Sequence, residues 1–77
     1  MTYEITVQLK PEVLDPEGRA IQETLKRLGL SRLRDVKVSK RFVIDVDGDN
    51  TDEMAEKIAA EYLANPVSET FEIKKIG

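Results

Sequence analysis

From Val36 to Val46 the apolar residues keep to even positions: Val36, Val38, Phe42, Ile44 and Val46 alternate with Lys37, Ser39, Arg41, Asp45 and Asp47, and only Val43 breaks the parity. A period of two marks a β-strand with one buried face. Sustained over about eleven residues it spans roughly 36 Å, longer than most strands of a small domain. A hairpin with the loop Ser39-Lys40-Arg41 would keep the same parity, but its last loop position favours a left-handed residue, for which Arg is poorly suited. One extended strand is the preferred reading, with part of it overhanging its neighbours. An overhanging edge is a pairing surface, so this strand is the candidate homodimer contact.

Around it the chain is cleanly punctuated. Tyr3, Ile5, Val7 and Leu9 alternate with polar residues and predict a first strand. Asp15 can accept from the unpaired amides of a first helical turn and Pro16 fits the first helical position, so a helix starts there. Ile21, Leu25 and Leu28 give that helix an apolar stripe, and Gly29 supplies a left-handed ending with Leu30 able to touch Leu25. After a turn at Asp47–Asn50, Asn50 or Thr51 caps a second helix with Asp52 and Glu53 in its first turn. Its buried side is expected to be Met54, Ala55, Ile58, Ala59, Tyr62 and Leu63. Asn65-Pro66 ends it, and Val67, Phe71 and Ile73 read as a final strand. The order predicts one α+β domain over residues 1–77. Two helices pack on one face of an antiparallel sheet with a long central strand, close to a ferredoxin-like plait.

A chain of 77 residues has a marginal core, and chains of this size often add disulfides, a metal or a partner. With no Cys and no His, disulfides and thiolate or imidazole metal sites are excluded, which leaves association. No apolar run approaches roughly 18 residues and no secretory leader is evident, so a soluble cytoplasmic protein is expected. The net charge of −3 conceals two opposed blocks. Lys26 to Arg41 holds seven basic residues and one acidic; Phe42 to Glu56 holds six acidic residues and none basic. Such blocks are usually solvated faces, but they can also steer a charged partner or pair with each other in a dimer.

Carboxylates are the only acid–base candidates, and none sits in an apolar stretch that would raise its pKa, so catalysis by this chain alone is not expected. The scattered glycines form no phosphate loop. Asp45, Asp47, Asp49 and Glu56 fall in a calcium-loop register, but its turn position is Asn50 instead of Gly. No metal or cofactor site is expected. The basic block lacks exposed stacking aromatics, so nucleic acid is not an expected partner, and without a long apolar run neither is a membrane.

The ordered strings Leu9-Lys10, Val13-Leu14-Asp15-Pro16-Glu17-Gly18, Ile21, Leu28-Gly29, Val36-Lys37-Val38-Ser39-Lys40 and Leu63-Ala64-Asn65-Pro66-Val67-Ser68-Glu69 resemble PurS, the small subunit of phosphoribosylformylglycinamidine synthase, over nearly the whole chain. Ser39 departs from the glycine usual before that lysine, which favours an uninterrupted strand. The resemblance implies a non-catalytic role in purine biosynthesis, in a three-part, ATP-dependent glutamine amidoligase. A glutaminase subunit releases ammonia, and a large synthetase subunit uses ATP and magnesium to convert formylglycinamide ribonucleotide (FGAR) to the amidine (FGAM). The small subunit, a dimer or tetramer, joins the two and assists ammonia transfer. The contact and shaping residues it implies are Asp15, Pro16 and Gly18 at the first loop, Lys40 on the long strand, and Asn65, Pro66 and Glu69 after helix two. An ACT-like small-molecule regulatory domain and a weak RNA-binding plait share the topology. Against the former, Lys10-Pro11-Glu12 stands where a glycine-rich ligand loop would follow strand one.

Overall fold

The computed structural model describes residues 1–77. In chain order it contains β1 (Thr2–Leu9), α1 (Pro16–Arg27), β2 (Ser39–Asp45), α2 (Thr51–Ile58), a π-helical turn (Ala59–Leu63) and β3 (Glu69–Lys75). The fold is α+β, with two helices and a three-stranded antiparallel sheet in the order β2-β1-β3. It is one strand short of a full βαββαβ plait. The alternation of β1 turns Tyr3, Ile5 and Val7 fully inward. Ile5 stands opposite Phe42 on one side and Ile73 on the other, and Val7 opposite Phe71. With Ala59, Ala64 and Leu63 from the helical layer, these residues form the core.

The small residues of the second helix are what let it approach the sheet. Ala55 and Ala59 are buried four residues apart, in ordinary helical register. Ala64 then donates its N–H to Ala59 O at 2.9 Å, a bond spanning five residues. This wider turn brings Ala64 back over the sheet and rotates Tyr62 outward, leaving it 75% exposed. Tyr62 was expected on the buried side, as was Met54, which lies ahead of this turn in α2 and is also exposed. Val67, expected in the last strand, also lies outside it, in the turn before β3.

The middle segment is a single strand, not a hairpin, since Ser39 to Asp45 pair without interruption with β1. It is central in the sequence but lies at the edge of the sheet, because β1 takes the middle position between it and β3. Its pairing is also shorter than the alternation predicts: Val36–Val38 run ahead of it with no strand partner. Alongside this extension lies α1. The Schellman ending is present, with Leu30 N–H bonded to Leu25 O and Gly29 N–H to Lys26 O, both at 3.1 Å, and Gly29 at φ 95. The apolar stripe of α1 contributes little to the core, however. Only Gly18 of the helix is buried, and Ile21 and Leu28 are exposed, the latter 73%.

The molecule is accordingly elongated, 52 × 26 × 13 Å, with a radius of gyration of 16.0 Å. A compact chain of this length would have about 11.5 Å. Just seven residues are buried, so the chain alone provides a very small core. No helix is long and apolar enough to cross a membrane.

Candidate functional site

Asp15 does two things at once. Its Oδ1 caps α1 by accepting from Gly18 N–H at 2.9 Å, and its Oδ2 accepts from Val38 N–H at 2.8 Å. The register would set Val38 opposite Leu9, but the pairing of β1 with β2 stops at Gln8 and Ser39, so the carboxylate takes the place of β1 for that amide. Pro16 opens the helix, where its absent N–H leaves nothing unpaired. Gly18 permits the close approach: a Cβ there would lie 2.3 Å from Val36 O. Together these residues fasten the start of α1 against the extension before β2, and Gln22 Nε2 adds a bond to Arg34 O at 3.2 Å.

The second punctuated string is a self-contained turn. Asn65 Oδ1 accepts from Val67 N–H at 2.9 Å across Pro66, the usual Asx geometry. Glu69 Oε1 accepts from Asn65 N–H at 2.7 Å, while Glu69 N–H donates to Asn65 O at 2.7 Å. Lys10, at the end of β1, joins this turn to the sheet: its N–H donates to Ser68 O at 2.9 Å and its Nζ to Pro66 O at 3.0 Å. Sequence reasoning used Lys10 only as part of a motif, because the residues it bonds, Pro66 and Ser68, lie at the far end of the chain.

The fold brings the two strings to the same end of the sheet. Asp15, Pro16, Lys40 and Glu69 line one open hollow of about 290 Å³. A neighbouring hollow of about 310 Å³ is lined by Lys10, Asp15, Lys37, Val38 and Ser39 among others. Gly18 and Asn65 are one hydrogen bond away, through Asp15 and Glu69 respectively, and Pro66 follows Asn65. Lys40 stands opposite Val7 in β2 and makes no ion pair.

The other end of the sheet holds a polar latch that the sequence did not single out. Buried Tyr3 donates its O–H to Asp52 Oδ1 and lies 2.7 Å from Thr51 Oγ1, and Lys75 Nζ is 2.9 Å from the same Asp52 oxygen. This latch holds α2 where side-chain capping does not: Asn50, in left-handed geometry at φ 57, makes no side-chain cap bond.

The Tyr3 hydroxyl and the Lys75 ammonium hold Asp52 below its ordinary value of 3.8. Backbone N–H groups of Gly18 and Val38 lower Asp15 in the same way, and Arg41 lowers Glu4. A carboxylate with a depressed folded pKa contributes stability that is fully present above its unfolded value and is lost as pH falls through the folded one. Thermal stability should therefore hold from neutrality to about pH 5 and fall in acid. Asp52→Asn should flatten that acid limb in calorimetry; an unchanged limb would refute the role given to the latch. Lys75 is shifted upward by Asp52, so its contribution is present below its ordinary 10.5 and is lost only as pH rises past that value.

At the Asp15 end the arrangement presents a hydrogen-bonded corner with the exposed Lys37 and Lys40 and two shallow hollows. The family model PurS: Phosphoribosylformylglycinamidine (FGAM) synthase matches residues 2–77. The PurS subunit of phosphoribosylformylglycinamidine synthase from Mycobacterium leprae is 39% identical over 71 residues, covering 92% of this chain and 90% of the relative. The crystal structure of Methanocaldococcus jannaschii PurS, one of the subunits of formylglycinamide ribonucleotide amidotransferase in the purine biosynthetic pathway, superposes with a TM-score of 0.84. It is 35% identical and covers 99% of this chain and 98% of that one. The structure of PurLQS from Thermotoga maritima contains a chain of the same fold, with TM-score 0.73, 24% identity, and coverage of 97% and 95%. With the family match running through to Gly77, the chain belongs to the PurS family, subunits of phosphoribosylformylglycinamidine (FGAM) synthase in purine biosynthesis.

Proposed function

We propose that this chain is the non-catalytic bridging subunit of FGAM synthase, holding a glutaminase and a large synthetase subunit together and assisting the passage of ammonia between them. It works as a homo-oligomer in the cytoplasm, and ATP and magnesium are handled by the synthetase. The observation that carries this reading is the contrast between chemistry and surface. The shifted carboxylates Glu4, Asp15 and Asp52 are all pushed down by hydrogen bonds, so they are fixed as anions and engaged in holding the fold. Meanwhile Leu14, Leu28, Leu30, Tyr62 and Val67 lie in solvent on a molecule with only seven buried residues. Exposed apolar surface on that scale suits contact with other subunits. The fold shared with a chain of the Thermotoga maritima PurLQS assembly supports the choice of partners.

Reconstitution tests it. FGAM formation from FGAR, ATP, magnesium and glutamine should fall by at least about tenfold when this chain is left out, since ammonia is then lost to water on the way. Activity with an ammonium salt in place of glutamine should persist. Full glutamine-dependent activity without the chain would overturn the reading.

A further inference from the structure

The connection between β2 and α2 contains the dipeptide Asp47-Gly48, whose two reacting groups are both free. The Gly48 N–H donates to no backbone carbonyl, and both residues are exposed, outside any helix or strand. No hydrogen bond or ion pair holds the Asp47 carboxylate; Thr2 and the terminal ammonium engage the neighbouring Asp45 instead. Gly48 stands at φ 96, and a Cβ built there would meet nothing within 4 Å, so the peptide is surrounded by open space. The chain on either side is fastened. Val46 exchanges two backbone bonds with Met1, at 3.1 and 2.9 Å, and Asp52 is held by Tyr3 and Lys75. Between these anchors lies a segment that can turn without breaking a contact.

We propose that Asp47-Gly48 is a self-modification site, at which the folded chain converts Asp47 to isoaspartate about as readily as the unfolded chain does. The Gly48 nitrogen attacks Cγ of the Asp47 carboxyl group. A C–N bond forms, the Cγ–OH bond breaks, and the hydroxyl leaves with the amide proton as water. The product is a cyclic succinimide. Water then adds back at one of its two carbonyls: opening at Cγ restores aspartate, and opening at the backbone carbonyl leaves the main chain running through Cγ, with the α-carboxylate as the side group. Nothing besides that water enters, and the final mass is unchanged. Other positions lack one of the requirements. Asp15 and Asn65 precede prolines, which have no N–H to attack with. Asp35, Asp45 and Asn50 precede β-branched residues, which crowd the nitrogen. Asp52 is fixed inside α2. The rearrangement adds one carbon to a connection anchored at Val46 and Asp52, so the slack is taken up in solvent and the latch at Tyr3 is kept.

The carboxyl group reacts in its protonated form, so the full chain is incubated at about pH 6, where the fold is stable, beside an identical sample in urea. A methyltransferase specific for isoaspartyl carboxylates, with labelled S-adenosylmethionine, counts the product, and electron-transfer fragmentation of the tryptic peptide Phe42–Lys57 locates it. The folded chain should accumulate isoaspartate at residue 47 at a rate within about threefold of the urea sample, since neither burial nor hydrogen bonding protects the site. A folded rate more than about tenfold slower, or product at Asp49 or Asn50 instead, would overturn the proposal. Asp47→Glu keeps the charge but lengthens the side chain beyond succinimide formation. Because the Asp47 carboxylate holds nothing in place, this variant should fold as the parent does and lose most of its methyl acceptance; acceptance retained at the parent's level would equally overturn the assignment.

Discussion

Replacing Ile5 with alanine should leave the chain without a stable fold. Ile5 is wholly buried at the middle of the central strand and touches both flanking strands through Phe42 and Ile73. Removing such a side chain costs about 2–5 kcal/mol, from lost burial and from the cavity left behind. A domain of this size has about 4–12 kcal/mol in total, and a core of six buried apolar residues puts it toward the lower end. Denaturant titration followed by circular dichroism should show a lost or non-cooperative transition for Ile5→Ala. Ile5→Val, costing about 0.5–1.5 kcal/mol, should remain folded. A cooperative Ile5→Ala melt within a few degrees of the parent would contradict the placement of the core.

Gly18→Ala should have the next largest effect, and with a sign opposite to that suggested by helix propensity alone. Glycine inside a helix is worse than alanine by about 1 kcal/mol, so the substitution looks stabilising. At this position the added Cβ would meet Val36 O at 2.3 Å and Asp15 Oδ2 at 2.9 Å. The first neighbour is backbone and cannot swing aside, and the second is the carboxylate that holds Val38. Overpacking of this kind costs about 1–3 kcal/mol, which outweighs the propensity gain at most of that range. Gly18→Ala should thus lower the melting temperature and also weaken self-association, since it pushes the extension away from α1. Ala20→Gly, on the exposed side of the same helix, should lose about 1 kcal/mol with association unchanged. A Gly18→Ala chain more stable than the parent would refute the close approach.

What the sequence revealed was set by how local the determining interaction is. The cap at Asp15, the left-handed end at Gly29 and the alternation of β1 depend on residues within a few positions, and all are found where they were expected. The π-helical turn was invisible because the apolar spacing through Tyr62 and Leu63 fits an ordinary helix; the small residues Ala55, Ala59 and Ala64 were the available clue. The edge position of β2 could not be read from periodicity, which reports a buried face but not the neighbours on either side. Near the site, the Asp15 bond to Val38 and the Lys10 ammonium bond to Pro66 cross 23 and 56 residues. Pattern reasoning found the residues but not what they hold. The stripe on α1 was recognised as apolar, yet its burial within one chain was assumed from periodicity, and the structure leaves it uncovered.

In the bridging role proposed above, the smallest dimension of the molecule, 13 Å, bears on how ammonia could pass between the larger subunits. Stacked layers of secondary structure are spaced by about 10 Å, so this slab has no depth for a bore sealed on all sides by its own atoms. Any conduit it helps to form must be a trough on its outside, roofed by whichever neighbour lies across it. Leakiness would then be governed by how closely two separate polypeptides fit.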